Sequence, residues 1–136
     1  MATEPKQKST MHAVESGRAA HAYNAVLEGM PKTEKYAENA KKLPMLIKVN
    51  GLVPALLFAQ EKKQYGSLSA SVLSWLVSPG CPVSQLVNNR AAVGDLTGLD
   101  SRQYRQVTAE AQRYLNWVKR FAAAQRAASK RDGDGE

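Results

Sequence analysis

Tyr104, Val107, Ala111, Tyr114, Val118, Phe121 and Gln125 follow one another in steps of three and four residues through the C-terminal third of the chain. Residues so spaced share one face of an α-helix, and only the last of them is polar, so this stretch presents an apolar stripe over about six turns. A helix of this kind gains most of its stability from packing that stripe, and the remaining chain must supply the surface it packs on. Asp100 or Ser101 is suited to cap its start. Placing residues about 100° apart around the same helix puts Arg102, Arg105, Arg113 and Arg120 in a narrow sector opposite the stripe. Apart from Glu110, that outer face offers almost no carboxylate partner. The result is an aligned basic ridge.

The rest of the chain also reads as helix. Apolar residues make up 43% of the sequence, with only two Phe and two Trp, which suits Ala- and Leu-rich helix packing better than a β-sandwich. A first helix is predicted from about Thr10 to Gly29, stopped by Gly29 and Pro31, with Val14, Arg18, Ala22 and Val26 on one face and Tyr23 and Leu27 beside them. Arg18, close to the apolar stripe, is expected to snorkel or reach outward. Thr33 is placed to cap a second helix in which Tyr36, Ala40, Leu43 and Ile47 form the core face and Lys41 and Lys48 point together away from it. Pro44 predicts a kink there. Asn50-Gly51 breaks the run, and Pro54 suits the first turn of a third helix reaching about Lys63. Gly66-Ser67 opens a fourth, Leu68 to Val77, closed by the turn Ser78-Pro79-Gly80-Cys81-Pro82, and Val83 to Val93 suggests a short fifth before Gly94 to Gly98 interrupt the chain again. The expected fold class is all-α, a single bundle of about five to six helices with a long C-terminal amphipathic helix. The expected organisation is a flexible N-terminus over 1–9, a helical domain over 10–128 and a disordered tail over 129–136, with no internal repeat.

Chemistry is hard to find in this residue inventory. Two histidines nine positions apart and one cysteine do not make a zinc site, which needs about four ligands at short spacings. Each histidine is expected at the surface or partly buried. Cys81 lies in a Pro-Gly-Cys-Pro turn with no neighbouring base to activate it, and a lone cysteine forms no internal disulfide. No phosphate-binding glycine loop, dinucleotide fingerprint or nucleophile elbow occurs, and the carboxylates are scattered. No catalytic residue, cofactor, metal or small-molecule substrate is therefore expected. The stretch Met1 to Thr10 is polar, and Leu43 to Ala59, the nearest thing to an apolar span, is broken by Pro44, Lys48, Asn50, Gly51 and Pro54. A reducing cytoplasm and no membrane are expected.

The charge balance points to polyanions. Nineteen Lys and Arg against twelve Asp and Glu give a net charge of +7. The function-bearing candidates are Lys41, Lys42 and Lys48 on the second helix and Arg102, Arg105, Arg113, Lys119 and Arg120 on the last. Taken alone they are also what the solvated face of any amphipathic helix looks like. Bound to nucleic acid they would contact phosphates, giving salt-dependent and largely sequence-independent affinity. Trp117 lies near the ridge and suits a protein interface better than base stacking, whereas Tyr114 lies in the apolar stripe. Two other classes fit a small basic helical chain: a helix-turn-helix DNA-binding regulator, for which the turn Gly94 to Asp100 leads into too long and apolar a helix, and a protein-binding adaptor whose ridge meets an acidic partner.

Specific strings narrow these choices. Lys35-Tyr36-Ala37, then Lys41-Lys42-Leu43-Pro44-Met45-Leu46-Ile47 and Asn50-Gly51-Leu52, resemble the signature of the small α-helical subunit, the fifth Cmr subunit family, of the type III-B CRISPR RNA-guided effector complex. The C-terminal block, Tyr104 to Ala111 leading into Tyr114-Leu115-Asn116-Trp117-Val118-Lys119-Arg120-Phe121-Ala122, is similar to the same family, as is the helix ending in Trp75-Leu76. The likeness spans about Arg18 to Gln125 and departs from the pattern at Ser78 to Gly98 and in the tail. It implies a non-catalytic ribonucleoprotein subunit that stacks with copies of itself beside other Cmr-complex subunits and contacts crRNA and target RNA in antiviral defence. It further implies RNA contacts at Lys41, Lys42, Lys48, Arg113, Lys119 and Arg120, with Arg18 a weaker addition. A charged subunit that packs against copies of itself can instead use Arg102 or Arg105 in subunit contacts, and Trp117 is expected at such an interface.

Overall fold

In a computed structural model of the chain, residues 3–87 and 92–134 are described, with side chains over 11–87 and 92–131. Every element among them is helical: α1 Thr3–Gly29, α2 Tyr36–Asn50, α3 Leu52–Glu61, α4 Gly66–Leu76, α5 Ser84–Val87 and α6 Ser101–Asp134, with 3-10 turns at Met30–Lys32 and Val93–Gly98. The all-α expectation holds.

The long helix α6, about 50 Å from end to end, is the spine on which α1, α2 and α4 pack. Its start is sealed by a reciprocal cap. The Gln103 N–H donates to Asp100 Oδ1 at 2.8 Å, and the Asp100 N–H donates to Gln103 Oε1 at 3.1 Å, which satisfies two donors at that end. Val107, Ala111, Tyr114 and Val118 are buried as their spacing predicts, while Tyr104, Phe121 and Gln125 at the two ends of the stripe are half-buried. Leu115, Ala122 and Glu110 are buried as well. The buried sector is wider than one stripe because three helices, not one, lie against it.

Contacts at named residues fix the directions of these rods. Gly51 and Val53 lie beside Tyr104, Pro44 beside Gln112 and Glu38 beside Arg126, so α2 runs antiparallel to α6. Arg18 meets Glu110, Tyr23 meets Phe121, and Leu27 and Met30 line a hollow with Gln125 and Ser129, so α1 runs parallel to it. Between α2 and α3 stands a single residue, Gly51, whose φ of 93° is a conformation that favours glycine. The Gly51 N–H donates to the Ile47 carbonyl at 2.8 Å, and the Tyr104 hydroxyl accepts from the Val53 N–H at 2.8 Å, filling an unpaired donor at the start of α3.

Several boundaries differ from the sequence expectation. Thr33 takes an extended conformation and makes no side-chain cap; α2 begins at Tyr36, whose N–H donates to the Thr33 carbonyl instead. Helix α2 does end at Asn50, where Asn50-Gly51 was expected to break it, and it carries Pro44 inside, whose carbonyl accepts from Gln112 Nε2 at 3.0 Å. The expected fifth helix appears as the single turn Ser84–Val87, and residues 88–91 lie outside the described residues. Gly94 to Gly98, expected as a break, belong to a 3-10 turn that buries Val93 and Leu96. At the ends, α1 begins at Thr3 and α6 reaches Asp134, beyond the expected helical limits of 10 and 128. Pro5 sits in the first turn of α1, where its missing donor costs no hydrogen bond.

Two close contacts hold the bundle in register. The Tyr36 ring presses on Gly29, where a Cβ would lie 2.4 Å from Tyr36 Cε2. Deep inside, Arg18 forms a two-pronged ion pair with Glu110, its Nε 2.6 Å from Oε2 and its Nη2 2.8 Å from Oε1. Trp75 of α4 donates its indole N–H to the same Oε2 at 2.8 Å. One carboxylate thus joins α1, α4 and α6 with both oxygens occupied, as a buried charge requires. Hydrogen bonding to Glu110 raises the affinity of the Arg18 guanidinium for its proton above the ordinary value despite the burial.

Both contacts can be tested by stability. Gly29→Ala should lower unfolding free energy by about 1–3 kcal/mol in a denaturant melt, because the Tyr36 ring must move. Glu110→Gln strands the buried guanidinium and should cost about 3–5 kcal/mol, whereas Arg18→Met combined with Glu110→Gln, which keeps an acceptor for Trp75, should recover most of that loss. A single-variant loss within experimental error of zero would show that the pair is not structural.

Candidate nucleic-acid interface

The orientation of α6 decides which charges face outward. Gln112, bonded to Pro44, marks the flank of α6 beside α2, and Trp117, bonded to Glu15, marks the flank beside α1. Turning about 100° per residue between these marks leaves Arg102, Arg105, Arg113 and Arg120 on the uncovered crown of the rod. All four are exposed. Lys119 lies toward the α2 flank and is half-buried.

Helix α2 adds to this crown along one edge only. Leu46 shares a hollow with Pro54 and Phe58 of α3, which marks the α3 side of α2, and Lys41 and Lys48 lie on the opposite edge, toward α6. With the two helices antiparallel, Lys48 falls beside the turn that carries Arg105 and Lys41 beside the turn that carries Lys119. Lys42 is exposed too, but a quarter turn away on the α3 side, next to the exposed Val49. The structure therefore gathers Lys41, Lys48, Arg102, Arg105, Arg113, Lys119 and Arg120 on one face and sets Lys42 apart.

Arg18 is the correction. It is 6% exposed and closed in by Glu110 and by Glu15, whose Oε2 accepts from Nη1 at 2.7 Å, so it neither snorkels nor reaches outward. Its place in the apolar stripe of α1 is explained by an inward partner, not by a ligand. Glu110 is the matching correction on α6: 1% exposed, it lies on the inner side and does not neutralise the ridge from outside. Arg113 approaches Glu110 only at 3.8 Å and keeps 61% of its side chain in solvent. Among the described residues no ion pair engages Lys41, Lys42, Lys48, Arg102 or Arg105. A row of like charges with few internal partners is a surface of high positive potential.

Sequence reasoning passed over three cations at the far end of α6. Arg126, Lys130 and Arg131 are exposed, and Arg131 follows Arg120 by eleven residues, as Arg113 follows Arg102, so it continues the ridge. Arg126 turns instead toward Glu38 of α2, 4.0 Å away. The eleven-residue spacing was visible in the sequence; assigning 129–136 to a disordered tail hid it.

His21 and Cys81 are built into the packing. His21, half-buried, approaches the Tyr114 hydroxyl with Nδ1 at 2.8 Å and the Ser74 hydroxyl with Nε2 at 3.2 Å, and burial lowers its pKa below the ordinary value. It lines an open cleft of about 430 Å³ between α1 and α4. Burial pushes the Cys81 thiol up to about 11. No group of His, Cys, Asp and Glu able to hold a metal ion occurs among the described residues, and no helix among them is long and apolar enough to cross a membrane. The protonated, covered thiol should resist iodoacetamide at pH 8 and react quickly only after unfolding, as mass spectrometry of the alkylated chain would show; rapid labelling of the native protein would contradict this burial.

Comparison with known proteins agrees with the resemblance noted in the sequence. A search of curated proteins finds no match. A protein-family model described as CRISPR-associated protein (Cas_Cmr5) matches residues 14–125, from the second half of α1 through the ridge-bearing part of α6. That match spans most of the 136-residue chain, so the chain belongs to the Cas_Cmr5 family, the small-subunit family of the type III-B CRISPR complex.

Proposed function

We propose that this chain is a non-catalytic RNA-holding subunit of the type III-B effector complex, lying in the cytoplasm and contacting crRNA and target RNA during antiviral defence. Copies of it stack beside the guide-carrying backbone subunits. The observation that carries this reading is the single face formed by Lys41, Lys48, Arg105, Arg113, Lys119 and Arg120, contributed by two antiparallel rods and open to solvent on its crown. Such a face suits a sugar-phosphate backbone, because each cation can neutralise one phosphate without reading a base. Lys42, on the other flank of α2 with Met45 and Val49 nearby, suits a protein neighbour better than the same RNA strand. Arg102, at the start of α6, is kept for subunit contacts, and Arg18 has no part in RNA contact.

The test is a salt series of RNA binding by the isolated protein. Lys41→Glu and Arg113→Glu should each weaken binding to every sequence alike, and each phosphate left without its cation should flatten the log–log salt slope by about 0.7. Arg18→Met combined with Glu110→Gln, which leaves no stranded charge in the core and keeps the acceptor for Trp75, should still bind RNA in a salt-dependent way. Affinity indifferent to salt and to both charge reversals would sink the proposal. The same ridge meeting only an acidic protein would bind no oligonucleotide at all.

A further inference from the structure

One edge of the ridge is lined by rings. Trp117 stacks on Phe121 with centroids 5.6 Å apart and planes at 22°, and Phe121 meets Tyr23 of α1 edge-on at 5.3 Å. Tyr23 remains 41% exposed, and Trp117 and Phe121 are half-buried at the margin of the core. The other tryptophan, Trp75, is 2% exposed and bonded to Glu110, so Trp117 is the indole within reach of a ligand.

Trp117 is held in place by its own chain. Its indole N–H donates to Glu15 Oε1 at 3.0 Å, and the other oxygen of Glu15 accepts from Arg18. The ring therefore has a fixed orientation and no donor left over. What it offers a ligand is a π face, and that face has an occupant: the exposed Arg120 guanidinium sits 5.3 Å from the ring centroid. No carboxylate among the described residues holds Arg120 there.

Deepening the proposed function, and resting on it, we propose that Trp117 stacks an unpaired base of single-stranded RNA after Arg120 leaves the ring for the adjoining phosphate. One movable cation thus trades a π face for an anion, and the freed face takes a base. Tyr23 extends the platform along the strand. A ring next to a row of cations is an arrangement that single-stranded RNA uses, stacking on the aromatic face while phosphates meet the charges. Aromatic rings and arginines are also common in protein interfaces, but here they adjoin a row of further cations without carboxylate partners among the described residues, which the phosphates of one strand match along its whole length. With the indole donor engaged by Glu15, the site distinguishes bases only by stacking strength, purines above pyrimidines.

The experiment compares a 12-nucleotide oligo(A) RNA with an abasic ribose-phosphate strand of equal length and charge, using the full chain. Affinity is read by anisotropy and the indoles by their emission. Both strands should bind, but oligo(A) should bind about tenfold tighter and quench Trp117 while shielding it from acrylamide. Trp117→Ala should lose the difference between the strands, and Trp117→Phe should keep part of it. Because quenching is measured on the unaltered protein, the outcome does not depend on either variant folding. Equal affinity for the two strands without quenching would overturn the stacking and leave the phosphate-binding face intact. No binding of either strand would overturn the proposed function and the stacking with it. Emission that changes with protein concentration in the absence of RNA would assign the rings to a second copy of the chain and overturn the stacking.

Discussion

The Arg18–Glu110 ion pair is the constraint from which the exposed face follows. Glu110 stands about 60° around α6 from Arg113 and about 80° from Arg120. Drawing its carboxylate inward to Arg18 and Trp75 leaves the arginine sector turned outward. A buried ion pair is weak as a source of net stability but strong as a specifier, since any other rotation of the helix would leave an unpaired charge in the core. Trp117, tied to Glu15 one side chain away, sets the same rotation a second time. The amphipathic stripe alone tolerates some roll, because apolar contacts are not directional; the carboxylate and the indole remove it.

The second rod is set by tight contacts at its two ends. At the start of α2, the Tyr36 ring lies on Gly29 with no room for a side chain, and burial pushes its hydroxyl up to about 12. At its end, Gly51 turns the chain within one residue, and Tyr104 of α6 caps the helix that follows. These contacts hold α2 antiparallel to α6 and bring the edge bearing Lys41 and Lys48 beside Lys119 and Arg105. Placing like charges together opposes folding slightly, an effect that solvent and salt reduce at an exposed crown. The buried pair and the close-packed rings offset it from below, so a surface arranged for a polyanion rests on a core arranged for rigidity.

Much of this was legible in the residues because helix periodicity is a strong local signal. The stop at Gly29, the break at Asn50-Gly51, the turn at Ser78 to Pro82 and the cap at Asp100 all stand where turn and cap chemistry put them. The ridge of Arg102, Arg105, Arg113 and Arg120 was read from angle alone. Arg18 and Glu110 were misjudged for one reason: each was weighed on its own helix, where a charge near an apolar stripe looks like one seeking water. Their pairing spans 92 residues of sequence, and no local pattern announces it. Thr33 failed as a cap for the opposite reason, since the chain's path over Gly29 and Tyr36 overrode a favourable side chain.

Composition and periodicity thus determined the all-helical class, the long amphipathic rod and the sign of its outer face, because these depend on residue type and on a 3.6-residue repeat. Tertiary structure decided which cations share a surface and which is locked inside, what Trp117 touches, and on which edge of α2 Lys42 parts from Lys41 and Lys48. Those outcomes depend on how one helix is rolled and directed against another. That geometry is settled by contacts between residues far apart in the chain, and it exists only once the helices have packed.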